Sequence, residues 1–333
     1  MTSHRITRAI TRALAWAERH QIALYLVAIV AGIAAGLLIP ISHLIEAAIN
    51  PAIALLLYVT FLGVPFTRLG AAFRDVRFLG ALFVLNFVIV PVVVFVLSRF
   101  VAHDAALLIG VLLVLLTPCI DYVIVFAGLA GAAHEKLLAA APLLMIAQLL
   151  LLPVYLFAFA GPSTLGIIDV GPFVEAFAML IALPLVAAAI TQWATPRARA
   201  VRVVARAGTA SMVPLMMLVL FVVVASQAHR IAENGSSLLA LVPLYAAFLV
   251  IMAGLGIAAS RIARLEPATA RALTFSGATR NSLVVLPLAL ALPASLSVAP
   301  AAVVTQTLVE LVGMVLYVRF LPRLIPARKQ RSV

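Results

Sequence analysis

Residues 115–126, LLTPCIDYVIVF, set a proline, the only cysteine of the chain and an aspartate inside an apolar run. A charge at bilayer depth costs roughly 2.5–3.5 kcal/mol even on a lenient insertion scale, so Asp121 marks a place where the chain has a use for it. A thiol in such a run acts by reactivity, by affinity for a soft metal or metalloid, or by packing as a small apolar side chain. A second stretch of the same kind, FSGATRNSLVVLP at 275–287, carries Arg280 and Asn281. A third polar position, Glu310, is flanked by Leu308, Val309, Leu311 and Val312. Groups of these types at membrane depth bind ions or polar solutes, or carry protons.

Asp121 and Arg280 are expected to neutralise one another, either as a structural ion pair or as a transport site. In the sharper version Arg280 is a permanent surrogate for a bound sodium, and Asp121 takes up a proton when substrate is absent. Glu310 is expected to be protonated, paired or cavity-facing, with a proton-relay role open to it. Thr117, Pro118, Gln148, Ser276, Thr279 and Gln306 are candidates for lining the cavity. For the glutamines and Asn86, hydrogen bonding between helices is the competing role.

An intramembrane enzyme would need a catalytic pair at depth. The six histidines, at positions 4, 20, 43, 103, 134 and 229, fall in loops or at span ends, and no serine–histidine or paired-aspartate arrangement is evident. There is no G-x-x-x-x-G-K-[ST] phosphate loop, so transport energy must come from a gradient or from a separate ATPase subunit. No cofactor is expected.

The elements that must position these residues are membrane helices. The chain is 65% apolar and 10% charged, a balance no water-soluble domain of 333 residues keeps. With about 20 apolar residues needed to cross the hydrocarbon, ten spans are predicted, near 21–39, 49–66, 78–98, 105–130, 137–160, 172–193, 210–228, 238–259, 270–292 and 299–321. The formal charge of +12 would suggest nucleic acid in a soluble protein. Here 20 of the 23 Lys and Arg fall on one side of the predicted spans, against Arg99 and Arg230 on the other, with Arg280 inside the ninth span. That asymmetry predicts a multi-pass protein of the cell membrane with both termini cytoplasmic, in contact with lipid and not with nucleic acid.

A shift of 158 residues lays spans two to five on spans seven to ten and Ala141-Pro142-x5-Gln148 on Ala299-Pro300-x5-Gln306. Five spans per half is an odd number, so the second half must enter the membrane inverted, as in secondary transporters whose site lies where broken helices meet. The predicted fold is an all-α integral membrane protein of ten transmembrane helices, two inverted five-helix repeats with helices 4 and 9 broken and crossing. The breaks fall at Pro118, which removes a backbone donor, and at Gly277, which the same shift places on Cys119. The expected organisation is an amphipathic cytoplasmic segment at 1–20, repeats at 21–160 and 161–321, and a basic tail at 322–333.

Pro118-Cys119 in the fourth span, Ala278 to Asn281 in the ninth and Val309-Glu310 in the tenth resemble motifs of the arsenite-resistance permeases, within the bile acid:sodium symporter superfamily. The resemblance covers nearly the whole chain. It implies efflux of trivalent arsenite, or antimonite, driven by the proton motive force, with Cys119 as ligand to the metalloid. One thiolate would hold a soft arsenic centre loosely enough to release it, where three would trap it. Two departures stand out. Ser282-Leu283 replaces the acidic residue that the arsenite family carries after the Asn segment, and Ser276 or Phe275 stands where the bile-acid branch has a sodium-site glutamate. The alternatives are a sodium- or proton-coupled symporter of a small organic anion, for which Arg280 would suit a carboxylate, and a passive channel.

Overall fold

Long apolar runs free of glycine–proline clusters form helices because the bilayer leaves backbone groups no partner but each other. In the computed structural model, which describes residues 2–38, 43–63, 75–119, 122–161, 170–196 and 199–326, helices account for nearly every described residue, and among these residues the only sheet-like pairing is one isolated antiparallel bridge. Among the described residues, five helical stretches are long and apolar enough to cross a membrane: Val76–Val101, His134–Ala160, Met212–His229, Gly235–Ile262 and Ala294–Leu324. Shorter apolar helices cover Ala23–Leu38, Ile49–Gly63, Ala105–Leu115 and Ala178–Ala194.

The chain divides into two compact units. One comprises Met1–Gly63 and Glu175–Glu233. It contains α1 (Thr2–Leu38), α2 (His43–Gly63), and, after α8 (Val170–Phe177) and a π turn at Ala178–Ala182, α9 (Leu183–Ala194), α10 (Arg199–Ala210) and α11 (Met212–Glu233). The expected amphipathic segment and first span are one continuous helix, α1. It packs along α11 through a Gly-x-x-x-Gly pair. A Cβ on Gly32 would lie 2.8 Å from the Phe221 carbonyl oxygen, and one on Gly36 only 2.2 Å from that of Ala225. Small residues allow this backbone approach, which apolar side chains in lipid cannot drive by hydrophobicity alone. α2 is held to α9 by the Tyr58 and Thr191 hydroxyls, 2.9 Å apart, and by the Gln192 amide, which donates to the Phe61 and Leu62 carbonyls.

The other unit, Val64–Val174 and Asn234–Val333, holds the interrupted helices. α3 (Val76–Val84) runs through a π turn at Leu85–Ile89 into α4 (Val90–Ser98). α5 (Ala105–Leu115) stops at the Thr117-Pro118 break, and α6 (Tyr122–Leu129) resumes after it. α7 (His134–Ala160) and α12 (Gly235–Ile262) are long and continuous. α13 (Pro267–Ala278) and α14 (Ser282–Leu290) are separated at 279–281, and α15 (Ala299–Leu324) follows. The predicted spans at 105–130 and 270–292 are thus each two short helices end to end.

α5 is buried from Ala106 to Leu115, enclosed by α4, α7, α14 and α15. Asp104 starts it, its carboxylate accepting from the N–H groups of Ala106 and Leu107. At the base of α13, the Arg271 guanidinium donates to the Ala130 and Gly131 carbonyls after α6 and to Ile325 after α15, tying three helix ends together. Nearby, Lys136 Nζ donates to Asp75 Oδ2 at 2.6 Å and to Thr269 Oγ1 at 3.0 Å. Asp75 also caps α3 through Phe78 N–H.

Two outcomes follow from this packing. Gly36→Leu forces a side chain against the α11 backbone, and overpacking of that kind costs about 1–3 kcal/mol or more; thermal unfolding in detergent should show a clear loss of Tm, with Gly63→Ala, whose Cβ meets nothing within 4 Å, as the neutral control. The second outcome concerns Asp75, whose carboxyl is held below its ordinary value of 3.8 by the Lys136 hydrogen bond, partly offset by desolvation. Because its folded value is the lower one, its contribution is complete above about pH 4 and lost as pH falls further. Both partners are more than a third exposed, so the contribution is at most ~1 kcal/mol. The Tm difference between parent and Asp75→Asn should be constant from pH 5 to 8 and shrink below pH 4.

Candidate functional site

The two breaks lie side by side. Cys119 N–H donates to the Thr279 carbonyl at 3.1 Å, and Asn281 N–H donates to the Thr117 carbonyl at 2.8 Å. These bonds frame an antiparallel bridge between Pro118 and Arg280. At that non-hydrogen-bonded pair no N–H is needed, so proline fits without leaving a donor missing. Freed backbone groups at the breaks are thereby satisfied by each other, which is how irregular backbone survives in a membrane interior.

Thr117 and Thr279 close the ends of their own helices. The Thr117 hydroxyl donates to the Leu113 and Val114 carbonyls, 3.1 Å each, and the Thr279 hydroxyl to that of Phe275 at 2.5 Å. Both hydroxyls therefore cap the preceding half-helix.

Arg280 is fully buried. Its guanidinium Nη2 lies 2.6 Å from the Ser276 carbonyl, 2.8 Å from that of Gly277 and 2.9 Å from Asn86 Oδ1, and Nη1 lies 3.4 Å from the Leu115 carbonyl. The carbonyls belong to the last turn of α13 and the end of α5, where helix dipoles leave partial negative charge. The positive group thus sits in a cage of four oxygens, and its carbon lies 5.6 Å from the Phe248 ring centroid. Asn86 reaches it from the π turn, an irregularity common at functional sites, and its amide also donates to Ser276 Oγ and the Leu82 carbonyl.

Glu310, also fully buried, is held by three donors: the Tyr122 hydroxyl at 2.5 Å, the backbone N–H of Arg280 at 2.9 Å, and the Gln306 amide one turn earlier on α15. The Tyr122 hydroxyl lies 3.0 Å from the Arg280 carbonyl as well. One positive and one negative side chain are therefore buried together, joined through the main chain of residue 280. Among the described residues, the ionisable groups nearest Arg280 are Glu310, Cys119, Tyr122 and Tyr317.

Among the described residues, a set of buried polar atoms at the start of α14 has no hydrogen-bond partner: Arg280 Nε, Asn281 Nδ2 and Ser282 Oγ. Asn281 caps α14, its Oδ1 facing Val284 N–H at 3.4 Å, which turns its amide nitrogen away from the helix. Three consecutive residues thus present unused donors at a helix N-terminus, whose dipole also favours negative charge.

Of the residues singled out in the sequence, Thr117, Pro118, Cys119, Ser276, Thr279, Arg280, Asn281, Gln306 and Glu310 come together here, all buried. Gln148 is buried on α7, which packs on α5, α6 and α13, and neither of its amide atoms has a partner among the described residues. Asp121 lies outside the described residues, as does the question of its pairing with Arg280; the carboxylate found beside residue 280 is Glu310. Among the described residues no three His, Cys, Asp or Glu group as a metal site. Tyr122 and Phe248 were not foreseen. Tyr122 had a signal, because the shift of 158 places it on Arg280, the residue whose carbonyl it approaches. Phe248 had none, being one aromatic among many apolar residues of α12.

Interrupted helices paired through their backbones, in a chain with several membrane-length helices, mark a multi-pass membrane protein. The chain belongs to the sodium bile acid symporter family, whose model matches residues 50–234. No curated protein matches the chain. The match includes the Pro118-Cys119 break and Asn86 and ends before α13, so Arg280 and Glu310 lie beyond it. Members of that family are transporters, which makes this protein a transporter and not an enzyme.

Removing Arg280 should expose how the site is balanced. Arg280→Met leaves the α13 carbonyls without donors and Glu310 without its positive neighbour, a loss of about 3–5 kcal/mol for a broken buried charge system. Glu310→Gln added to it should recover part of that loss, read as non-additivity in denaturant unfolding. Strict additivity would show the two charges to be independent.

Proposed function

We propose that this protein is a secondary transporter of a small anion, taken up at the crossing of the two interrupted helices and coupled to protons. The observation that carries this reading is the chemistry of the unused atoms. Arg280 Nε, Asn281 Nδ2 and Ser282 Oγ at the N-terminus of α14 offer donors, and half-helix N-termini are where transporters of this architecture receive anionic groups. A carboxylate or oxyanion satisfies them. The reading presumes two inverted five-helix repeats with both termini cytoplasmic, which the 158-residue correspondence and the charge asymmetry support.

Proton coupling is supported by what surrounds Arg280. In broken-helix transporters, unwound carbonyls and half-helix C-termini are the usual seat of a coupling sodium. Here the α13 and α5 carbonyls already face a guanidinium that cannot leave. Glu310, bridged to residue 280, is then the described group suited to gain and lose a proton; Asp121, outside the described residues, is the candidate the sequence adds. Protonating either changes the charge of the site by one, which couples it to a proton gradient.

Arsenite efflux is the second reading, favoured by the position of Cys119, whose thiol is buried and whose main chain pairs with Thr279 at the same crossing. A single thiolate beside a guanidinium could hold trivalent arsenic and release it. The donors of residues 280–282 could also meet the hydroxyl oxygens of neutral arsenous acid, but a guanidinium and a helix N-terminus favour a charged oxygen more, which is why the anion reading is preferred.

Proteoliposomes discriminate the possibilities. With a panel of labelled small carboxylates and oxyanions, uptake should respond to a pH gradient and be unchanged by a sodium gradient at fixed pH. Asn281→Leu should lower it about tenfold or more, the worth of one hydrogen bond to a charge. Uptake that tracks sodium removes the tethered-cation argument. Transport of arsenite alone, abolished by Cys119→Ser, would establish the second reading in place of the first.

A further inference from the structure

We infer that the groove between α12 and α15 is a binding site for one acyl chain of an anionic phospholipid, whose headgroup is held by the arginines at its end. This groove is separate from the crossing of the interrupted helices and does not depend on what the protein transports.

The two helices advance in the same direction. The Tyr245 hydroxyl donates to the Ala302 carbonyl at 3.0 Å, and further along both helices the Tyr317 hydroxyl donates to the Leu249 carbonyl. Between them runs a groove of about 490 Å³ lined by apolar side chains, among them Val250, Val312, Leu316, Phe320 and Leu324. These five are exposed. Tyr317, the one lining residue with a polar side-chain atom, turns that atom inward to α12, so the groove offers an occupant only hydrocarbon. Gly313 forms its floor, where a Cβ would lie 2.5 Å from Leu249 Cδ1.

Size selects the occupant. From Val309 to Leu324 the groove follows α15 for about 22 Å, more than the roughly 15 Å depth of one hydrocarbon leaflet. A helix of a second copy, about 10 Å across and laid along that length, would need on the order of 1,700 Å³. The groove holds less than a third of this, whereas its volume lies within the roughly 300–1,000 Å³ range of small-ligand sites. A single flexible chain fits.

Charge selects the headgroup. Arg261 and Arg323 lie in the last turns of α12 and α15, and exposed Arg264 and Arg319 stand beside them, with Glu266 the one acid in the same stretch. Arg323 is in direct reach of the lining, its guanidinium carbon 5.8 Å from the Phe320 ring centroid. A basic lip on an apolar groove between membrane helices recognises an anionic lipid at the polar boundary, and each basic group there strengthens binding about fivefold.

The test uses the purified full chain in detergent, titrated with phosphatidylglycerol or phosphatidylcholine of identical acyl chains, with Tm and native mass spectrometry as readouts. Phosphatidylglycerol should be retained and should raise Tm at lower concentration than phosphatidylcholine. Arg319→Gln with Arg323→Gln should weaken phosphatidylglycerol binding by roughly 25-fold and leave phosphatidylcholine unchanged. Val312→Trp, which fills the groove, should weaken both lipids while the charge pair remains. Equal response of the parent to the two lipids, indifference to both sets of substitutions, or a stable dimer that Val312→Trp dissociates would each overturn the assignment.

Discussion

Backbone carbonyls freed inside a membrane must find donors, and in this protein an arginine supplies them. Breaking a helix at bilayer depth exposes groups that cost several kcal/mol each if left alone. At the ends of α13 and α5 those groups carry the negative end of a helix dipole, and the Arg280 guanidinium lies against them with Asn86 completing the cage. An isolated buried cation would itself be prohibitive. Oxygens that need a donor and a cation that needs oxygens solve each other's problem, which makes the broken helices and the buried charge one feature.

The rest of the site is arranged around that solution. Residue 280 uses its side chain on the carbonyls and its main-chain N–H on Glu310, so the carboxylate is fixed relative to the break without a direct ion pair to the guanidinium. Tyr122, from the start of α6, bridges the same residue from the other segment. The two breaks are therefore linked twice, by strand-like backbone bonds and through one carboxylate. A change of protonation at Glu310 would alter contacts to both segments together, a property required of any group that couples substrate to movement.

The membrane also explains the helix contacts elsewhere in each unit. Where side chains gain nothing by leaving lipid, close packing of small residues and hydrogen bonds between helices carry the association. Gly32 and Gly36 against α11 show the first means, and Tyr58 with Thr191 shows the second. Arg271 applies the solution found at Arg280 to the carbonyls of helix ends, while Lys136 pairs with the Asp75 carboxylate, where partial exposure makes the bond weaker.

Hydropathy is local, so the sequence alone established the helical, membrane-embedded character of the chain and placed most of its long helices to within a few residues, while the first span and the segment before it proved to be one continuous helix. Proline, glycine and charge inside apolar runs are local signals too: they pointed to the interruption at Pro118 and to one near Gly277, which the structure puts two residues later, at 279–281, because Gly277 stays within α13, and they singled out Arg280 and Glu310, although the partner expected for Arg280 was Asp121. Which groups those charges meet is not local. The partners of Arg280 are mostly carbonyl oxygens, which every residue possesses and no sequence pattern distinguishes. The π turn that aims Asn86, the ring of Phe248 and the unsatisfied donors of residues 280–282 exist only once the helices are packed, because a polar atom is orphaned or satisfied by its neighbours in space. Tertiary structure decided the chemistry of the site, since it alone determined which of its hydrogen-bonding groups were left for a ligand.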